Sequence, residues 1–166
     1  MEKGIWLCPV TGELLHRYYR SFERDADIYM DMSLFTPYTY EPSKVDAYFE
    51  RIEGALDRVN FMVMLSDAPI GELSLKHIDR DNSSCELSIH LMNDSVKGRG
   101  YGTRAERLVL EYAFNDMGMN FVLADVVQKN ERSRHILEGL GFVQTGENEL
   151  FRFYRIGRKR FFPTKA

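Results

Sequence analysis

Lys97-Gly98-Arg99-Gly100-Tyr101-Gly102-Thr103 sets three glycines at alternate positions at the mouth of a helical stretch. No other segment restricts the chain as strongly, because glycine costs backbone entropy and offers in return a positive φ or a close approach of the main chain. A helix start adds unpaired N–H groups and a partial positive charge. Together these suit a pyrophosphate, and a tight turn with no ligand is the plain alternative. The Walker pattern GxxxxGK[ST] does not occur. A dinucleotide loop can be drawn through Gly100, Gly102 and Ala105, with Asp125 about 20 residues on. Such a loop should follow its strand directly and open a run of βαβ units, whereas here Met92 to Val96 intervene.

The elements around the loop are of mixed type. A short strand at Ile5 to Cys8 precedes Pro9 and Gly12, and a helix is expected from Glu13 to Arg24. Asp25 to Pro42, with Pro37 and Pro42, reads as irregular or briefly helical. From Ser43 an amphipathic helix carries Val45, Tyr48, Phe49, Ile52, Leu56 and Val59 at spacings of three and four. Phe61 to Leu65, Ile70 to Ile78 and a strand with Leu87, Ile89 and Leu91 on one side and Glu86, Ser88 and His90 on the other form a meander. In the second of these, polar Glu72, Ser74 and Lys76 alternate with Leu73 and Leu75. After the loop, a helix over 102–116 turns Ala105, Leu108, Val109 and Tyr112 to one face, and Phe121 to Val127 is a nearly all-apolar strand. A helix from Glu131 to Leu140 and strands at Phe142 to Thr145 and Glu149 to Ile156 complete a mixed α/β chain with a partly antiparallel sheet.

Charge and cysteine content narrow the function classes. With 22 basic and 25 acidic residues the net charge is −3, so no cationic field is available for a nucleic-acid backbone. Cys8 and Cys85 form no CxxC pair, which points to a reducing compartment, and we expect the cytoplasm. The N-terminal MEKGIWLCPV lacks an apolar signal core, and no window approaches the ~20 apolar residues of a membrane span. His16, His77, His90 and His135 lack metal-ligand spacing, so no metal site is expected. At 166 residues the chain is expected to form a single domain, 1–166.

Two blocks carry a resemblance. Lys97 through Gly102 are similar to the [QR]-x-x-G-x-[GA] loop of the GNAT superfamily of N-acetyltransferases, with Lys97 where Gln or Arg is usual. Asn130-Glu-Arg-Ser133 followed by Leu137-Glu138-Gly139-Leu140-Gly141-Phe142 resembles that superfamily's N-x-x-[AS]…E-x-x-G-F helix. The resemblance implies a three-layer fold, a mostly antiparallel central sheet flanked by helices, and acetyl-CoA as co-substrate. It further implies that backbone amides around Gly98, Arg99, Gly100, Tyr101, Gly102 and Thr103, with Lys97, hold the pyrophosphate, while Asn130 and Ser133 meet the cofactor nearer its pantetheine arm. Many relatives place a tyrosine before the glutamate of the second block. Leu137 stands there instead, as in the branch that acetylates N-terminal alanine of ribosomal proteins.

The implied reaction is attack of an amine on the acetyl thioester. A free α-amino group is roughly one-tenth neutral near pH 7 and a lysine amine far less, so a base helps. Glu86 is the first candidate, with a surface carboxylate as the alternative, and His90 is a second. Ser133 could donate to the leaving sulfur or simply cap its helix. Tyr154 could replace the missing tyrosine or belong to the core. The thioester oxygen is expected to meet a backbone N–H near Leu91. Glu23, Asp25, Asp27, Asp31 and Glu41, interleaved with Tyr29, Tyr38 and Tyr40, suggest an acidic aromatic rim. The expected acceptor is a protein or peptide N-terminal amine, with a polyamine or aminoglycoside as alternative, or no turnover at all in a CoA-binding sensor. Relatives of this kind are often homodimers.

Overall fold

The computed structural model describes residues 4–163, so the first three residues of the N-terminal stretch read above lie outside it. Seven strands form one sheet: β1 (Ile5–Pro9), β2 (Val59–Leu65), β3 (Ala68–Asp79), β4 (Ser84–Leu91), β5 (Phe121–Val127), β6 (Val143–Glu147) and β7 (Phe151–Gly157), in the order β1-β2-β3-β4-β5-β7-β6. Every neighbouring pair is antiparallel except β4 and β5. That parallel step needs a crossover, and α3 (Tyr101–Asn115) supplies it. The expected mixed α/β class with a mostly antiparallel sheet is therefore what the chain adopts.

Two apolar clusters lie on opposite faces of the sheet. On one, α1 (Gly12–Tyr19) and α2 (Pro42–Glu53) bury Leu15, Tyr18, Val45 and Ile52 against Met62 and Met64 of β2. On the other, α3 and α4 (Glu131–Leu140) pack Val109, Leu110, Phe114 and Leu137 against Leu73, Leu87, Val122 and Ile156. A short helix, α5 (Arg158–Phe161), follows β7, with Phe161 against Phe114.

Several expectations change here. The first helix stops at Tyr19 rather than Arg24, because Glu23 N–H bonds to Met92 O at 2.8 Å and Asn93 Nδ2 to Ser21 O at 3.1 Å, which draws the chain alongside the end of β4. The second begins at Pro42, whose missing N–H costs nothing at N1, and ends at Glu53 with Gly54 as its cap. Leu56, placed on its stripe, is 97% exposed, and Val59 opens β2 instead. On α3, Leu108 is exposed and Glu106 takes a buried position beside Ala105 and Val109. Strand β5 is covered on one face only: Val122, Ala124 and Val126 are buried, whereas Phe121, Leu123 and Asp125 are exposed. Glu72 and Ser74, polar members of an alternating strand, are buried, so the face they share is not solvated where they lie.

Candidate active site

The single parallel pairing is short. Ser84, Cys85 and Glu86 pair with Phe121, Val122 and Leu123, and beyond them the two strands separate. Main-chain groups alternate in direction along a strand. Met92 N–H donates to Ile70 O at 2.7 Å on the β3 side, so the N–H of Leu91 points the other way, into the splay. This is the position expected of a donor to a thioester oxygen. Gly71, opposite Leu91, lets β3 come this close: a Cβ there would sit 2.9 Å from Leu91 Cδ2 and 3.1 Å from His90 O.

The glycine loop closes one end of the splay. After a 3₁₀ turn at Asp94–Val96, Gly98 and Gly100 take φ of +69° and +77°, the left-handed region that glycine enters without strain. A Cβ on either would meet nothing within 4 Å, so the space above the loop is open. Gly100 caps α3 with no side-chain hydrogen bond, and the first helical bond runs from Arg104 N–H to Gly100 O. The N–H groups of Tyr101, Gly102 and Thr103 thus lack intrahelical acceptors. Arg99 is exposed beside them, and Gly102 packs between Leu91 and Ile136. Lys97 is held differently from a free phosphate ligand: Nζ lies 2.7 Å from Asp25 Oδ2 and 3.2 Å from Asp94 Oδ1, with only 9% of the side chain exposed. It ties the loop to the segment after α1.

On the other wall, Asn130 Oδ1 accepts the Ser133 N–H at 3.1 Å and starts α4, and both residues line the cleft with Leu137. The serine occupies both expected places at once, inside the cap motif and on the cleft wall. Tyr154 is set apart from them. It is 1% exposed, its hydroxyl donates to Glu138 Oε1 at 3.0 Å, and it lines neither compartment of the cleft. Burial and the Glu138 bond raise its pKa.

Glu86 and His90 share the cleft with Asp125. Register places Lys76 opposite Glu86, and Lys76 Nζ lies 3.0 Å from Glu86 Oε1. A register shift after Lys76, with His77 at φ +50°, turns His77 Nδ1 to 3.0 Å from Glu86 Oε2. Burial pushes the Glu86 carboxyl up, but the His77 and Lys76 hydrogen bonds and charges outweigh it and leave the pKa below the ordinary value. Glu86 is a fixed negative charge with little appetite for a proton. His90 faces solvent in the cleft, and desolvation by the walls lowers its pKa, reinforced by Lys76 and Lys97 and opposed by Glu72 and Asp25. Its imidazole is neutral at pH 7 and able to accept a proton.

Two features escaped the sequence reading. Glu72 accepts hydrogen bonds from Tyr19, at 2.8 Å, and from Tyr48, and burial together with Glu72 raises the pKa of both phenols. Glu106 is 2% exposed and lines both compartments of the cleft. It lies four residues after Gly102, on the buried stripe, and a carboxylate at such a position was a signal open to detection. Among the described residues no group of three or more His, Cys, Asp or Glu is arranged to hold a metal ion, and no helix is long and apolar enough to cross a membrane.

A half-splayed sheet, with uncapped helix amides at one end, a neutral imidazole on its wall and a fixed carboxylate four residues earlier on the same strand, defines a group-transfer site for an extended, phosphate-bearing donor. Residues 5–143 match the family model described as "Acetyltransferase (GNAT) domain", and the chain belongs to that family. It is an acetyltransferase that uses acetyl-CoA, and the dinucleotide reading of the glycine loop falls. Spermidine N(1)-acetyltransferase of Escherichia coli is 27% identical over 144 residues, covering 87% of this chain and 75% of that protein. A putative ribosomal N-acetyltransferase of Bacillus subtilis is 27% identical over 113 residues, covering 64% and 61%. Among solved structures, spermidine N-acetyltransferase from Vibrio cholerae in complex with CoA and spermine superposes with a TM-score of 0.76 at 19% identity, over 95% of this chain and 98% of that one. That likeness is one of fold.

Proposed function

We propose that the chain, as one domain, acetylates a primary amine of a small polycation by direct attack on acetyl-CoA in a ternary complex. The observation that carries this reading is the splay itself, open onto the uncovered face of β4 and β5, with carboxylates at both margins: Glu23, Asp25 and Asp27 near the loop, Glu86 and Asp125 opposite. Such margins favour a cationic acceptor over a neutral one. The relatives named for spermidine acetylation support the same class, and one related structure is described as dodecameric, which keeps self-association in view.

In this reading the backbone amides from Gly98 to Thr103 hold the pyrophosphate, and the pantetheine arm follows β4 past Asn130. Leu91 N–H donates to the thioester oxygen as negative charge builds there. Glu86 draws the protonated amine in by charge; the ammonium first gives one proton to solvent, which frees its lone pair, and His90 takes the second proton that the nitrogen must lose as its bond to the acetyl carbon forms. The carbon–sulfur bond then breaks, Ser133 hydrogen-bonds the thiolate, and solvent returns a proton to sulfur. Tyr154, with its hydroxyl engaged by Glu138, has no part in it. A second reading, an N-terminal peptide amine as acceptor, draws on Leu137 with Asn130 and Ser133 and on the ribosomal relative. Release of free thiol from acetyl-CoA decides between them. Spermidine or spermine is expected to give a kcat/KM at least about tenfold above any peptide beginning with alanine; the reverse order overturns the polycation reading.

A further inference from the structure

Glu106 sits where the two compartments of the cleft meet. One compartment is bounded by Gly102 and Leu91 beside the glycine loop, the other by Glu86, Asp125 and Leu137. Its Oε2 is buried and has no hydrogen-bond partner among the described residues. A buried carboxyl left unpaired is destabilising by the full desolvation of that group, so its retention calls for a partner that arrives from outside. With no cation beside it, burial alone raises its pKa from 4.5 to about 8, and the group is mostly an uncharged acid at neutral pH. It therefore has an O–H to give.

The other charged groups in the cleft are spoken for or stand apart. From β3 and β4, Lys76 and Glu86 pair with each other, and His90 is open to solvent. From the loops, Lys97 is paired with Asp25, and Glu23 lies beside them. Asp125 of β5 and Arg132 of α4 complete the set, and none of these groups donates to Glu106 Oε2. A track from the loop to Glu86 passes over Glu106, and the part of acetyl-CoA between its pyrophosphate and its thioester is uncharged, with two amide carbonyls as acceptors. An uncharged acid matches that segment better than a carboxylate would.

We propose that Glu106 is a cofactor-binding residue whose carboxylic O–H donates a hydrogen bond to the pantetheine arm of acetyl-CoA on the floor of the splay. This rests on the placement of the cofactor given above. Deprotonation removes the donor and sets a negative charge against a carbonyl, so binding favours the protonated form, is complete below the free-state pKa and weakens as pH rises through it.

Calorimetric titration of the whole chain with acetyl-CoA at pH 7 and pH 9 tests this. For the natural chain the dissociation constant should rise about tenfold between the two, the change in protonated fraction for a group titrating near 8. Glu106→Gln, which keeps a donor and cannot ionise, should bind about as well at pH 7 and lose that alkaline weakening. Glu106→Leu should bind at least about tenfold more weakly at both values while melting at a higher temperature, since it removes an unpaired buried polar group. Equal pH dependence in the natural chain and the Gln variant overturns the inference. So does an unchanged acetyl-CoA affinity in Glu106→Leu with a raised KM for the amine, which would assign the residue to the acceptor. Gly100→Val separates the two layers: if it leaves affinity unchanged, the cofactor placement itself fails, whereas if it weakens binding and the Glu106 variants do not, only the present inference fails.

Discussion

On the β1–β3 side of the sheet both faces are covered and buried polar groups are satisfied within the fold, whereas on the β4–β7 side one face is bare and the main chain itself is left unpaired. The two buried glutamates condense the contrast. Glu72 lies beneath α1 and α2 with a tyrosine hydroxyl on each carboxylate oxygen. Glu106 lies beneath the splay with Oε2 unpartnered. Burial is similar in the two and satisfaction is opposite, which teaches that the first half is built to be stable alone and the second to be completed by a ligand. Experiments that trade stability against binding in opposite directions on the two sides test that division.

The largest expected effect is at His90, on the boundary between the halves. Glu72 lies opposite it on β3 and Glu86 four residues before it. Since desolvation depresses its pKa, the neutral, proton-accepting form persists below the usual histidine value of about 6.5. Activity should therefore fall only as pH drops through that lowered value, giving an acid limb in kcat/KM. His90→Gln should remove this limb and reduce kcat by at least about 100-fold, within the range for loss of a general base. A limb that survives in the variant would hand the proton to another group, Asp125 first, whose pKa is raised by burial and by Glu86.

Next comes Gly100→Val, on the open side alone. A β-branched residue at φ +77° is strained by roughly 1–2 kcal/mol, and its side chain would stand in the open space above the loop. Affinity for acetyl-CoA should drop by about 100-fold, close to the loss of two charge-assisted hydrogen bonds. A desulfo analogue of CoA should suffer equally, because the damage is at the phosphate end. Loss confined to stability, with affinity intact, would make the glycines a turn and nothing more.

How far this division could be read in the residues follows from what periodicity can and cannot report. Element order, the parallel step and the loop were legible, because glycine spacing and apolar alternation are local properties. Periodicity names a face without saying what covers it. Glu72 and Ser74 looked like a solvated face, and α1 and α2, far off in the chain, enclose them. Phe121 to Val127 read as a nearly all-apolar strand, yet Leu123 and Asp125 are exposed, with no helix over them among the described residues. Glu86 was legible as a cleft carboxylate, but its partners Lys76 and His77 depend on a strand register and a bulge at His77 that no local pattern encodes. Tyr154 was legible as a phenol that could serve the site or the core, but its burial and its bond to Glu138 depend on how α4 packs on β7, which no local pattern encodes.

The smallest expected effect is on the covered side, at Tyr48. Its ring packs edge-on to Tyr19, with centroids 6.1 Å apart, and Arg51 lies over it at 5.1 Å. Tyr48→Phe keeps both contacts and removes only the hydroxyl donated to Glu72. Hydrogen bonds to charged groups are worth roughly 1.5–3 kcal/mol. Glu72 keeps its bond from Tyr19, and its surroundings border a surface hollow that water can enter, so a loss near 1 kcal/mol in urea unfolding is the expected value. Acetyl-CoA affinity should not change, since Tyr48 lines neither compartment of the cleft. The same variant can break the contrast. If unfolding free energy stays constant while KM for the amine shifts severalfold, Glu72 and its tyrosines hold the acceptor, and the covered half is a binding wall as much as a scaffold.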